Sequence, residues 1–188
     1  MRAQIQQTTW EARHARHKHV INISEIDEKE IDVGDKFHHA VKGLGSSTGG
    51  VKLGCSYFRI AAGRYAFPLH SHLANEEAIY ILEGNGTLTL GPDEIAVSAG
   101  DYAAMPPDRK LPHKLVNTGD SDLVYLCLST NIVPEITEYP DSGKIGVFGG
   151  AEWNQVLEDF YAGRDVSDEY VLKFFNKGSS VGYFDGEV

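Results

Sequence analysis

The chain has 188 residues, a formal net charge of −10 and a sequence pI near 5.2. That length suits one well-buried core with extensions, and the acidity excludes a general affinity for nucleic acid or anionic membrane. The 20 glycines, against roughly 13 at average usage, favour a turn-rich, all-β protein.

Residues 1–20 are polar and charged and read as an arm. The run Arg13-His14-Ala15-Arg16-His17-Lys18-His19 is the basic exception in an acidic chain. It is expected to be solvated, with a phosphate or a stray metal as the other partner it could touch. The arm has no apolar signal core, and no apolar run approaches the roughly 18 residues that span a bilayer. A cytoplasmic protein without membrane partners is therefore expected. Residues 21–50 mix a short apolar stretch with acidic and glycine-rich pieces, and LGSSTGG at 44–50 is loop chemistry. His38 and His39 precede that loop and are expected at the surface or an interface. Residues 1–50 thus form an N-terminal arm and extension.

From Val51 the pattern changes to short alternating segments, the mark of strands. Strands are expected at 53–61, 77–83, 86–90, 94–98, 102–105, 113–117 and 122–129. Between them stand Gly84-Asn85-Gly86, Gly91-Pro92-Asp93, Gly100-Asp101 and Asn117-Thr118-Gly119-Asp120, residues that turn the chain cheaply. Many short strands with close turns predict a sandwich or barrel core over 51–133. Cys55 and Cys127 fall in apolar strand-like stretches and are expected to act as small hydrophobes, not as a disulfide or a redox pair.

After Pro134 the pattern weakens, and 134–188 reads as a C-terminal extension packing on the barrel. EYPDSGK at 138–144 is loop chemistry. Trp153, Val156, Leu157, Phe160 and Tyr161 share one helical face, so a short helix is predicted at 152–162, ended by Gly163. Val171-Leu172-Lys173-Phe174-Phe175 and then VGYFDGE predict one or two terminal strands.

The segment richest in chemistry is GRYAFPLHSHLANEEAIYILEGNG, residues 63–86. His70 and His72 are two apart, so on an extended backbone they point the same way. Glu77 opens the next strand and shares a face with Ile79 and Ile81, whereas Glu76 faces away. Two imidazoles and a carboxylate suit a borderline divalent ion. A second segment, residues 100–120, supplies His113 at a strand start, followed by Asn117. A curled sheet would bring His113 to the other three. Met105 and Ile81 are candidate pocket walls. Tyr57, Arg59 and Tyr65 precede the motif; strand-face or core packing is the expected role, pocket lining the alternative.

These two segments resemble the paired motifs of the cupin superfamily. The first matches in His70-x-His72, four residues, Glu77, six residues, Gly84, although Gly63 stands one residue too far back. The second matches in Gly100, five residues, Pro106, then His113, three residues, Asn117. There Asp108 replaces a glycine and the stretch to the histidine is two residues longer. The resemblance covers about residues 50–130, and EYPDSGKIGV with YFDGE is similar to a group of single-domain bacterial cupins, some named as sugar-phosphate isomerases. It implies a double-stranded β-helix, the jelly-roll barrel. It also implies one divalent transition metal ion (Fe, Mn, Ni, Co, Cu or Zn) on His70, His72, Glu77 and His113, and often a homodimer.

Two functions follow as expectations. One is a metal-dependent enzyme, an isomerase or oxygenase acting on a small polar molecule such as a sugar or organic acid. The other is a module that binds or senses such a molecule without turning it over. No general base stands at a recognisable spacing.

Overall fold

The computed structural model describes residues 17–152, 155, 166 and 168–187. In chain order the strands are β1 (Lys29–Val33), β2 (Phe37–Gly43), β3 (Leu53–Ile60), β4 (Ser71–His72), β5 (Glu77–Glu83), β6 (Asn85–Leu90) and β7 (Asp93–Ser98). They continue with β8 (Tyr102–Met105), β9 (His113–Val116), β10 (Leu123–Thr130), β11 (Glu135–Tyr139), β12 (Lys144–Gly149) and β13 (Val171–Asn176). Apart from Gln155, helix among the described residues is confined to single turns, such as Leu44–Ser47 within the expected loop. None is long and apolar enough to cross a membrane.

Every adjacent pair of strands within the sheets is antiparallel. A six-stranded sheet runs β1-β2-β3-β10-β5-β8, a four-stranded sheet β13-β12-β11-β4, and a three-stranded sheet β7-β6-β9. Together they make the all-β jelly roll. The expected strands from 53 to 130 all form, and the turn sequences fall between them. At Gly84 the backbone takes φ +82°, and a Cβ there would lie 2.4 Å from the Asp122 carbonyl oxygen. Only glycine lets the start of β10 approach this corner so closely.

The inward faces of both layers supply the core. Ile60, Ile81, Leu88 and Leu123 are almost fully buried among Val41, Phe58, Val97 and Tyr125. Each such aliphatic side chain contributes about 1.5–3 kcal/mol of burial free energy. Ile81 belongs to this core and does not reach the pocket, whereas its neighbour Ile79 and Met105 do.

Outside residues 53–130 the sequence reading needs correction. The segment before the barrel holds two strands, and β2 pairs with β3 at the sheet margin. His39 on β2 is buried, not at the surface, with its ring against Phe58 and Phe67. The loop expected at 138–144 is only the turn of a hairpin whose arms, β11 and β12, are strands. Of the terminal strands, 171–176 forms and VGYFDGE is turn. Most of the predicted helix at 152–162 and most of the basic run at 13–19 lie outside the described residues, although Gln155, which is described, is helical. His19, which is described, has Nδ1 2.8 Å from the Thr48 carbonyl oxygen.

Candidate metal centre

Four side chains from four places in the chain converge. His70 and His113 face each other across an isolated antiparallel bridge, closed by His70 N–H to His113 O at 3.1 Å and His113 N–H to His70 O at 2.7 Å. This backbone clamp joins the two sequence motifs. His72 ends β4, and Glu77 opens β5, where it pairs with Met105 on one side and Ser129 on the other. One ligand atom from each of His70, His72, Glu77 and His113 can be chosen so that all lie within 4.8 Å of one another.

The ring nitrogens are held in defined orientations. His70 Nδ1 donates to the Pro68 carbonyl oxygen at 2.8 Å, which leaves Nε2 with its lone pair toward the cluster. His113 Nε2 and His72 Nε2 lie 3.2 and 3.5 Å from the same oxygen, Glu77 Oε2. His72 is buried, yet neither of its ring nitrogens has a hydrogen bond. Buried polar atoms are normally hydrogen-bonded, so an imidazole whose nitrogens stand only at ion-pair distance from Glu77 and Glu135, beside two other imidazoles, fits a cation-binding role. Three nitrogens and one carboxylate oxygen suit a first-row divalent ion and leave coordination positions open.

The electrostatics of the metal-free cluster agree. Burial, followed by repulsion from His113 and His72, pushes the His70 pKa down to about 3, so that ring stays neutral. His72 moves the other way: burial opposes its charge, but Glu77 and Glu135 outweigh that and raise it to about 10. Burial also opposes the Glu77 charge, and the imidazoles nonetheless hold its pKa well below the usual carboxylate range. A carboxylate that its imidazole neighbours keep ionised suits a cation, and protons on the imidazoles would compete with that cation.

Glu135 escaped the sequence reading. It is fully buried at the start of β11, with Oε1 3.7 Å from His72 Nδ1. Its oxygens accept from Leu73 N–H at 3.0 Å and Asn75 N–H at 2.8 Å, and from the Asn75 side-chain amide. Asn75 in turn donates to the Ile132 carbonyl and accepts from Ile132 N–H and the Thr130 hydroxyl. The loop between His72 and Glu77 is thus fastened to the β10–β11 connection. The alternation of this stretch is one of burial in the fold, and the residues Glu135-Ile136-Thr137-Glu138-Tyr139 carry no period-two pattern of polarity that could have found it.

Asn117 of the second motif is structural. Its amide donates to the Ile60 and Ser121 carbonyls, and its oxygen accepts from Gly119 N–H. Arg59 lies outside the pocket in a cluster with Glu28, Glu30 and Asp122. Tyr65 packs edge-on against Phe37, and Tyr57 faces Lys42, so neither lines the cavity.

The cluster forms the polar floor of a cavity of about 370 Å³. Phe67, Ile79, Met105, Leu115 and Tyr125 wall it from the barrel, and Thr137, Tyr139, Lys144, Phe148 and Phe174 wall it from the C-terminal sheet. Tyr139 lies over His70, ring centroids 6.0 Å apart and planes 22° from parallel. Burial pushes the Cys127 thiol and the Tyr139 phenol up, so both stay neutral near pH 7.

Comparison with known proteins agrees with this geometry. The family model described as a cupin domain matches residues 56–129, which include all four converging side chains. An uncharacterised protein of Methanocaldococcus jannaschii is 46% identical over 61 residues, 32% of this chain and 47% of that protein, so the match spans about half of the relative's length. A candidate sugar phosphate isomerase from Acidithiobacillus ferrooxidans has a similar fold, with TM-score 0.69 and 21% identity over 88% of this chain and 96% of that one. A cupin-superfamily sugar phosphate isomerase from Silicibacter pomeroyi gives 0.68 and 19% over 88% and 98%. A predicted oxalate decarboxylase from Thermotoga maritima gives 0.52 and 22% over 59% and 97%. At these identities the likeness to solved structures shows the fold alone, and the family model identifies a cupin domain at residues 56–129.

Proposed function

We propose that this cupin binds one divalent transition metal ion (Fe, Mn, Ni, Co, Cu or Zn) through His70, His72, Glu77 and His113, and that a small polar molecule reaches it through the cavity. The observation that carries the reading is the convergence of four donor atoms within 4.8 Å at a pocket floor. When bound, such an ion supplies Lewis-acid polarisation of a carbonyl or hydroxyl, or dioxygen chemistry. The protein's own part is to orient the imidazoles through Pro68 and Glu135 and to exclude bulk water with the aromatic wall. That combination supports an isomerase or oxygenase of a sugar or organic-acid type substrate.

A second reading, a non-catalytic binding or sensing module, is favoured by one observation. Beyond the four candidate ligands, the described residues lining the cavity include no carboxylate or imidazole to act as a general base. We also propose that the chain acts as a homodimer in the cytoplasm.

The test is elemental analysis of the purified protein, followed by an oxygen-consumption and substrate screen. About one ion per chain is expected, largely lost in His72→Ala. Protein that stays metal-free after reconstitution would sink the reading. Ligand binding without turnover would select the second.

A further inference from the structure

The cavity around the candidate ligands is mostly hydrocarbon. Its remaining polar side chains are concentrated on one wall, the β11–β12 hairpin, which bears Thr137, Tyr139 and Lys144. This wall lies outside the segment matched to the cupin domain. Lys114 also borders the cavity, but it alternates with His113 and Leu115 on β9, and its ammonium sits over Tyr65, which does not line the space. Cys127 adds a neutral thiol.

Two donors stand on this wall. Thr137 is 2% exposed, and its hydroxyl makes no well-formed hydrogen bond, only an interaction with the neighbouring Tyr139 phenol. It pairs with His72 across the β11–β4 ladder, so it lies beside the proposed metal site. Gly146, its partner on β12, leaves room for it: a Cβ there would come within 2.5 Å of Thr137 Oγ1. Lys144 stands further along the same ladder, opposite Tyr139. Its ammonium lies 5.3 Å from the centre of the Tyr139 ring and has no carboxylate within ion-pair distance among the described residues. The neighbouring cations Arg109 and Lys177 contrast with it, because both pair with Glu138 on the other face of β11. In a chain of net charge −10, a lysine at a pocket wall with no carboxylate partner among the described residues suits an anion. The Tyr139 ring neighbours both Lys144 and His70.

Resting on the metal-dependent reading above, we propose that the ligand of this pocket is a small organic acid with an apolar body. Its acidic group, carboxylate or phosphate-like, is held by Lys144. An oxygen at its inner end reaches the Thr137 hydroxyl and the metal site. A polyhydroxylated sugar does not suit these walls. Its hydroxyls would be buried against Phe67, Ile79, Met105, Phe148 and Phe174 with few partners, and each unpaired hydroxyl is costly.

The experiment uses the full chain, first titrated with Zn²⁺ alone. Phenylacetate, benzylphosphonate and glucose 6-phosphate are then titrated by calorimetry into the native protein, Lys144→Met and Lys144→Arg. At least one benzyl acid should bind, and the stronger of the two identifies the acid type. Glucose 6-phosphate should be about tenfold or more weaker. Lys144→Met should weaken the benzyl acids by about tenfold or more, Lys144→Arg should retain them, and Zn²⁺ affinity should be the same in all three proteins. Tighter binding of the sugar phosphate, equal benzyl-acid binding in Lys144→Met, or no benzyl-acid binding at millimolar concentration would each overturn the inference. Failure of the native protein to take up Zn²⁺ counts against the metal reading alone. The Lys144 dependence is then measured on the metal-free protein, where weaker benzyl-acid binding in Lys144→Met supports the inference and equal binding overturns it.

Discussion

The carboxylate of Glu135 and the imidazole of His72 form a buried pair, Oε1 to Nδ1 at 3.7 Å, across the β11–β4 ladder. The same carboxylate accepts the backbone N–H groups of Leu73 and Asn75. One side chain therefore aims a candidate ligand and fixes the loop leading to the next, Glu77. Partners behind a metal-bound histidine typically contribute 10–100-fold to affinity. Glu135→Gln is expected to weaken metal binding by about that factor and to cost roughly 1–3 kcal/mol of stability, because an amide N–H₂ would face backbone donors. Competition calorimetry and thermal unfolding of the metal-free variant separate the two effects. Lost stability with unchanged metal affinity would assign Glu135 to the loop alone.

Glu77 and Glu76 are adjacent, and their faces differ. Glu77 Oε2 meets two imidazoles, whereas Glu76 is exposed at the edge of the loop. Glu77→Gln keeps the size and removes the charge, so metal affinity should fall by at least about tenfold. Glu76→Gln should change it less than twofold, in keeping with surface substitutions of ±0.5 kcal/mol or less. Parallel metal titrations check this. The reverse order of effects would overturn the register assigned to β5.

His39 carries a prediction for acid stability. Its ring is 2% exposed with both nitrogens unpaired, and burial, then His38, push its pKa down to about 4 against the opposing pull of Glu30. The folded protein thus resists a proton that the unfolded chain accepts near pH 6.5. Stability from this group is complete above about pH 6.5 and is lost as pH falls toward 4, by up to roughly 3 kcal/mol. His39→Phe should flatten the slope of unfolding free energy between pH 6.5 and 4. Denaturant unfolding of metal-free protein at several pH values measures it. An unchanged slope would mean that His39 takes up its proton in the folded state.

The proposed homodimer has a candidate surface. The C-terminal strand and turn leave Phe175, Val181, Tyr183 and Phe184 exposed, Tyr183 by 91% and Phe184 by 69%. Exposed apolar groups of this size are normally covered. Light scattering at micromolar concentration should give a dimer mass, and the double variant Tyr183→Ser/Phe184→Ser should shift it toward monomer. A monomer mass for the native protein would reject the proposal.

Within residues 53–130 the strands and the converging quartet were legible from the residues. Period-two alternation is a local property: it puts His70 and His72 on one side and Glu77 in line with Ile79 and Ile81, and glycine-bearing turns such as Gly84 mark the corners. Beyond that segment local signals were weaker than tertiary context. The β11–β12 hairpin read as a loop because its Pro140-Asp141-Ser142-Gly143 turn dominates a short stretch. Its strands are fixed by pairing with β4 and β13, which no local pattern encodes. His39 read as a surface residue beside His38, and only packing against Phe58 and Phe67 buries it. Glu135 beside His72, and His70 stacked on Tyr139, are long-range neighbours. The sequence by itself determined which side chains could bind a metal and the strands that present them. The tertiary structure decided what surrounds them, because burial and unpaired donors arise only when distant strands share a ladder.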